Sequence, residues 1–241
     1  MRTRDHRSGR SAAPSAAPSV VVTCELTLVA QTVAAALGHR GVPTTSVPWW
    51  MLAASLRTGR NDLVDPALLR RADVVLLIGD LASGSVLRDM RELGPACRRP
   101  WVVMSDAAEG PEWGGALEAG ARAVLPGSTS LAGMVEALQV VARGGTPLTA
   151  RKRADLVHSW RRLDERRHDL RDRLQSLSPR EEQVLGMLYE GTTVSEIAGR
   201  LAVSETTVRS QVRAVLRKLG VDSQLAAVAA LRELRQAGEG H

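Results

Sequence analysis

The chain has no phenylalanine, one tyrosine and five tryptophans, so aromatic residues make up 2% of its 241 positions. Proteins that grip RNA or single strands stack bases on exposed rings, and a chain this poor in rings is a weak candidate for that work. Only Cys24 and Cys97 are present, far apart and in no metal-ligand spacing. That excludes a disulfide framework and points to free buried thiols in a reducing compartment. His6, His39, His158, His168 and His241 show no metal spacing either, so neither a metal nor a cofactor is expected. No apolar run is long enough to span a bilayer. The Arg-rich start is followed by Ala-Pro-Ser repeats and then Glu25, which does not suit a signal peptide, so a cytoplasmic protein without a membrane partner is expected. No nucleophile stands with a base, and the glycine-spaced loop from Gly79 to Ser85 lacks the lysine of a phosphate-binding loop. An enzyme is not expected.

What is there is a globular composition, 44% hydrophobic and 24% charged, with length enough for two domains. The net charge of +6 is unevenly spread. Residues 151–177 hold 9 basic and 5 acidic side chains, whereas 178–241 hold 8 of each. Any surface in the last stretch that attracts a polyanion must therefore gather its positive charge on one face.

Residues 1–18, rich in Ser, Ala, Pro and Arg, read as a disordered tail. From 19 to 145 short apolar runs alternate with helical stretches. Strands are expected at Ser19–Thr23, Thr45–Val47, Asp73–Ile78, Trp101–Ser105 and Ala123–Pro126, with helices at Leu28–Leu37, Val86–Leu93, up to Leu117, and Leu131–Arg143. That alternation predicts a parallel, doubly wound α/β sheet. A linker helix over 146–172 follows, with Leu156, Trp160, Leu163, Leu170, Leu174 and Leu177 in a heptad seam that Arg167 interrupts. The seam serves either to pair two copies, through Leu156, Trp160 and Leu163, or to pack on its own domain.

Residues 173–238 carry the strongest pattern. Ser178-Pro-Arg-Glu181 is a capping box with Pro at the first helical position. A helix with Val184, Leu185 and Leu188 inside ends at Gly191, and a second runs from Val194 to Leu201. Ser204 then caps a third helix whose Val208, Val212, Val215 and Leu219 lie on one stripe, with Thr206, Arg209, Ser210, Arg213 and Arg217 opposite. Guanidinium groups on the outer face of an amphipathic helix suit bidentate bonds to guanine or phosphate in a major groove. Glu196 and Arg200 are placed for an exposed ion pair one turn apart, and Gly220 ends the helix.

These residues, with Glu-Ile-Ala, Val-Ser-Glu-Thr-Thr-Val-Arg and Leu-Arg-Lys-Leu-Gly-Val, resemble the DNA-binding domain of LuxR/NarL-type regulators. The resemblance implies an all-α, four-helix, helix-turn-helix domain, its motif at about 193–212, that binds duplex promoter or operator DNA and acts with RNA polymerase. It implies base contacts from Arg209, Ser210 and Arg213, a contact set completed by Ser204, Thr206, Thr207, Arg217 and Lys218, and dimerisation through a last helix carrying Leu225 and Val228. Gln211 and Arg209 depart from the His and Lys common in the family, which bears on sequence preference.

Ahead of such a module, residues 19–145 resemble a flavodoxin-like response-regulator receiver. A working receiver needs acidic residues after the first strand to hold Mg²⁺, an Asp acceptor, a hydroxyl and a Lys. The pattern puts Cys24 and Glu25 at the acidic pair, Ile78 at the acceptor (Asp80 if the register slips by two), Ser105 at the hydroxyl and Gly127 at the Lys, and no lysine exists in residues 20–145. A degenerate, phosphorylation-independent receiver is expected. In its place stand three alternatives: a small-molecule ligand near Glu25, Ser105 and Asp106, with Trp49, Trp50, Trp101 or Trp113 lining an apolar site; an unswitched homodimer; or a heterodimer with a related regulator.

Overall fold

The computed structural model describes residues 17–59 and 63–238, so the expected disordered tail lies almost wholly outside the described residues. Strands β1 (Val20–Cys24), β2 (Thr44–Pro48), β3 (Val74–Ile78), β4 (Trp101–Ser105) and β5 (Ala121–Pro126) form one parallel sheet in the order β2-β1-β3-β4-β5. That is the strand order of the flavodoxin-like doubly wound fold. The central β1 and β3 are Val-Val-Val-Thr-Cys and Val-Val-Leu-Leu-Ile because both of their faces are covered. The edge strand β2 is Thr-Thr-Ser-Val-Pro, half-exposed, where a proline costs no ladder bond.

Helices α1 (Thr27–His39), α2 (Trp49–Thr58), α3 (Pro66–Arg71), α4 (Ser85–Leu93), α5 (Pro111–Glu118) and α6 (Leu131–Ala142) cover the sheet. Alternate strand residues feed two cores. Val22, Leu76 and Val102 meet α1 and α6 on one side, while Val75, Leu77 and Val103 meet α2, α4 and α5 on the other. Helices α2 and α3 lie where the sequence predicts no more than a strand. Helix α2 opens on Trp-Trp-Met-Leu-Ala-Ala with no side-chain cap, so neither a start signal nor a clean apolar stripe marks it.

Helix α7 (Ala150–Gln175), capped by Thr149 Oγ1 on the Lys152 amide, runs unbroken past the expected boundary at 172. Behind it α8 (Pro179–Tyr189), α9 (Val194–Arg200), α10 (Glu205–Leu219) and α11 (Gln224–Gly238) make the four-helix domain. The α7 seam corrects the expectation that Leu156, Trp160 and Leu163 pair two copies. All three pack on the chain's own α5 side of the sheet core, Leu156 and Trp160 buried outright. Two glycines allow the approach: a Cβ on Gly114 would overlap the Leu156 carbonyl, and one on Gly115 would sit 2.9 Å from the Trp160 ring. The second half of the seam, Leu170, Leu174 and Leu177, packs instead with Leu185, Val215, Leu219 and Ala227. One helix thus completes the cores of both domains. The expected gap, Arg167, falls between the two halves, where its guanidinium reaches Glu112 of α5 at 3.2 Å and Glu233 of α11 at 3.6 Å.

Candidate nucleic-acid interface

The C-terminal helices begin and end where short polar side chains dictate. Ser178 Oγ accepts from the Glu181 amide while Glu181 Oε2 accepts from the Ser178 amide, and Thr193 and Glu196 repeat the arrangement at the start of α9. These reciprocal bonds satisfy amides that the first helical turn leaves bare. The turn into α10 is made by Ala202 at φ 51°, a left-handed conformation that a side chain tolerates at a cost of roughly 1–2 kcal/mol. Ser204 Oγ then accepts from the Thr207 amide at 3.1 Å, and Gly220 closes the helix at φ 68°.

Those ends fix which way α10 faces. Val208, Val212, Val215 and Leu219 are buried against α8, α9 and α11, as their spacing predicts. Thr206, Thr207, Arg209, Ser210, Arg213 and Arg217 are all exposed on the remaining faces. Arg209 is steadied by Glu205 one turn earlier at 3.3 Å, a surface pair of small energetic value that still orders a long side chain.

Two expected participants have other partners. Lys218 donates to Glu181 Oε2 at 2.6 Å and to the Ser176 carbonyl at 3.0 Å, so its ammonium ties α10 to the start of α8 instead of joining the outer row. Held first by that ammonium and then by the Ser178 amide, the Glu181 carboxyl drops to about 2. Glu196 is not paired with Arg200 across a turn as expected; its carboxylate takes the Thr193 amide and hydroxyl at 2.8 Å, which lowers its pKa. Arg173 of α7 is a structural residue that nothing in the sequence marked; it donates to the Leu219 carbonyl at 3.1 Å and anchors the end of α10. Leu225 and Val228 lie on α11, Leu225 with 79% of its surface exposed and Val228 partly covered.

At the carboxyl ends of the strands, the structure gathers Cys24, Glu25, Ile78, Asp80, Ser105 and Gly127 around one cavity of about 400 Å³. Parallel pairing sets Cys24 beside Ile78, and Asp80 follows on the loop. The donors do not suit Mg²⁺. Burial pushes the Cys24 thiol up, keeping it neutral, and a hard cation needs oxygen ligands. Asp80 Oδ1 accepts from the Ala82 amide, and Ser105 Oγ accepts from the Leu81 and Ala107 amides. Asp106 Oδ1 stands in the space that a Cβ at residue 127 would need. Among the described residues no group of His, Cys, Asp or Glu could hold a metal ion, and no helix is long and apolar enough to cross a membrane. The tryptophans do not line this cavity: Trp49, Trp101 and Trp113 are buried in the sheet core and Trp50 is exposed elsewhere.

Residues 175–231 match the family of bacterial regulatory proteins, luxR family. A 62-residue stretch, 26% of this chain, is 42% identical to the HTH-type transcriptional regulator MalT of Serratia proteamaculans (strain 568), of which it spans 7%. Among solved structures, the response regulator RcsB in complex with DNA is similar over 90% of this chain and 98% of its own, at 19% identity and a TM-score of 0.41. ChrA, a response regulator of a heme-sensing two-component system, is similar over 92% and 99%, at 23% identity and a TM-score of 0.44. The match to the luxR family falls on the helix-turn-helix domain, and ahead of it lies the five-stranded parallel sheet domain.

Proposed function

We propose that the chain is a cytoplasmic, DNA-binding transcription regulator and not an enzyme. It binds duplex promoter or operator DNA as a dimer, with α10 in the major groove and Arg209, Ser210 and Arg213 on base edges. The observation that carries this is the division of α10 into a buried valine–leucine stripe and an exposed row of arginines, serine and threonines, held by a cap at each end. Such a helix presents donors to base edges and phosphates without exposing its core. MalT is by name an HTH-type transcriptional regulator, in keeping with this reading. Thr206, Thr207, Arg217 and the exposed Ser204 would complete the phosphate contacts. Leu225 and Val228 leave an apolar patch on α11 through which two modules can pair, in a homodimer or with a related regulator, and the DNA-bound dimer would engage RNA polymerase. Its receiver-like domain works without aspartyl phosphorylation: Cys24, Ile78 and Gly127 replace an acid, an acceptor and a lysine.

The test is a titration of fluorescent promoter fragments with wild type and Arg213→Ala. The variant should lose about 1–3 kcal/mol of specific affinity, roughly 5- to 150-fold, and keep its binding to unrelated sequence. Equal affinity of the two proteins for every promoter fragment would remove α10 from the interface.

A further inference from the structure

A cleft of about 620 Å³ opens between α4 and α7, away from the cavity at the strand ends. Arg88 and Arg91 line it from α4, one turn apart, and Arg167 and Arg171 line it from α7, also one turn apart. Two carboxylates, Glu92 and Asp164, share the lining, and both are engaged: Asp164 with Arg91 at 3.1 Å and Glu92 with Arg57 at 2.9 Å. Each guanidinium offers five N–H groups. Donors in the cleft therefore far outnumber the acceptors within it.

Two of those donors are left without any partner. Arg167 has 14% of its side chain exposed, and Nη2 donates to Glu112 at 3.2 Å, but Nε has no acceptor. Glu233 Oε1, at 3.6 Å from Nε, attracts the charge from beyond bonding distance. Trp160, which also lines the cleft, has an enclosed Nε1 with no acceptor, and Arg91 and Arg167 both lie over its ring, at 5.0 and 5.9 Å. Stability does not account for this. A leucine at 167 would continue the α7 seam, whereas an under-bonded guanidinium among three others carries desolvation and repulsion. Guanidinium groups held apart on two helices around a space of small-molecule size are what anionic groups bind to in forked pairs.

We propose that this cleft binds a small organic polyanion, its phosphate or carboxylate groups taken by Arg91 and Arg171, and that the anion competes with Glu233 for Arg167. Arg167 is the side chain that touches the sheet domain through Glu112 and the helix-turn-helix domain through Glu233. Drawing its guanidinium into the cleft weakens the hold on α11, so occupancy is communicated to the C-terminal domain. The binding step does not depend on the DNA-reading role proposed above and is measured without DNA.

The experiment is calorimetric titration of the full chain at fixed ionic strength with three probes: inorganic phosphate, fructose 1,6-bisphosphate and citrate. Saturable one-site binding of at least one probe is expected, and the preferred probe separates free phosphate, phosphate ester and carboxylate as the source. The double variant Arg91→Gln/Arg171→Gln should bind about tenfold or more weakly. A control of equal charge change on exposed α7 positions, Arg162→Gln/Arg166→Gln, should match wild type. Should the first variant fail to fold, Arg171→Gln alone decides, since its side chain is exposed. Glu233→Gln should tighten binding several-fold by removing the competitor. No saturable binding of any probe, or equal weakening in cleft and control variants, overturns the site; unchanged affinity in Glu233→Gln overturns the competition.

Discussion

The sheet domain and the helix-turn-helix domain have been treated differently. In the C-terminal domain a single helix carries the buried stripe that makes the fold and, on the opposite face, the exposed row proposed to read DNA. In the N-terminal domain the strand interiors remain Val, Leu and Ile, the sheet order is regular, and the loop ends still converge on one cavity. Yet at those ends stand a thiol, an isoleucine and a glycine, and Asp106 has taken the room a side chain at 127 would use. Buried apolar positions on strands and polar positions at strand ends answer to separate physical demands, so the proposed loss of the second set leaves the fold held by the first.

The most forceful test of that contrast asks whether the two domains are separable at all. Ile197 is fully buried in the small core of α8, α9 and α10, which shares no buried residue with the sheet. Ile197→Ala should cost about 2–5 kcal/mol, a large share of what so small a core supplies. Hydrogen exchange should show α8 to α10 losing protection while β1 and β3 keep theirs. Equal loss in the sheet would mean that α7, which contributes to both cores, makes the chain one cooperative unit.

How much of this was legible follows the same division. All five strands and helices α8 to α10 stand close to where alternation, capping residues and stripes put them, because each signal is local, whereas α11 was expected only from the family resemblance. The capping box at Ser178, the N-cap at Ser204 and the glycine end at 220 are one-residue effects with one outcome. Helix α2 escaped because no side-chain cap marks its start, and α3 escaped although Asp65 caps the Ala67 amide ahead of Pro66, because six residues are too few to show an apolar stripe. The α7 seam was visible, but what it meets was not: sequence spacing says that an apolar stripe needs a partner, and only Gly114 and Gly115 on α5 decide that the partner is the chain itself. Lys218 read as a surface charge because its acceptor, Glu181, is 37 residues away, whereas the Thr193-x-x-Glu196 capping-box spacing was legible and was passed over for a pairing with Arg200.

A finer cut at the contrast uses the Lys218–Glu181 pair, which ties α10 to the start of α8. Lys218→Met should cost about 1–2 kcal/mol, since Glu181 loses a charged partner in a half-screened place, while specific DNA affinity measured at equal folded fraction stays unchanged. The pH dependence has a definite sign. Glu181 sits near 2 in the folded protein against an ordinary 4.5, so the fold favours the ionised form. The stability this pair adds is complete above pH 4.5 and is lost as pH falls towards 2. Denaturation of wild type should show that acid loss, and Lys218→Met should show less of it. A variant with wild-type stability but weakened operator binding would return Lys218 to the interface.

The smallest expected effect is the sharpest on the N-terminal side. Incubation with acetyl phosphate and Mg²⁺ should yield no phosphoprotein by intact mass if, as proposed, Ile78 stands at the acceptor position and the neutral Cys24 thiol at the metal position, with no lysine in residues 20–145 to neutralise a phosphoryl group. Gly127→Lys alone should not restore the reaction: the new side chain meets Asp106 Oδ1 at its first carbon, and the cation still lacks its ligands. The variant should be no better labelled than wild type and somewhat less stable, since a carboxylate must be displaced to admit it. Labelling of wild type at Asp80 would break the contrast. That outcome would mean that the register slip of two residues is used, that Glu25, Asp80 and Asp106 hold the cation without Cys24, and that the sheet domain kept its chemistry with a different set of ligands.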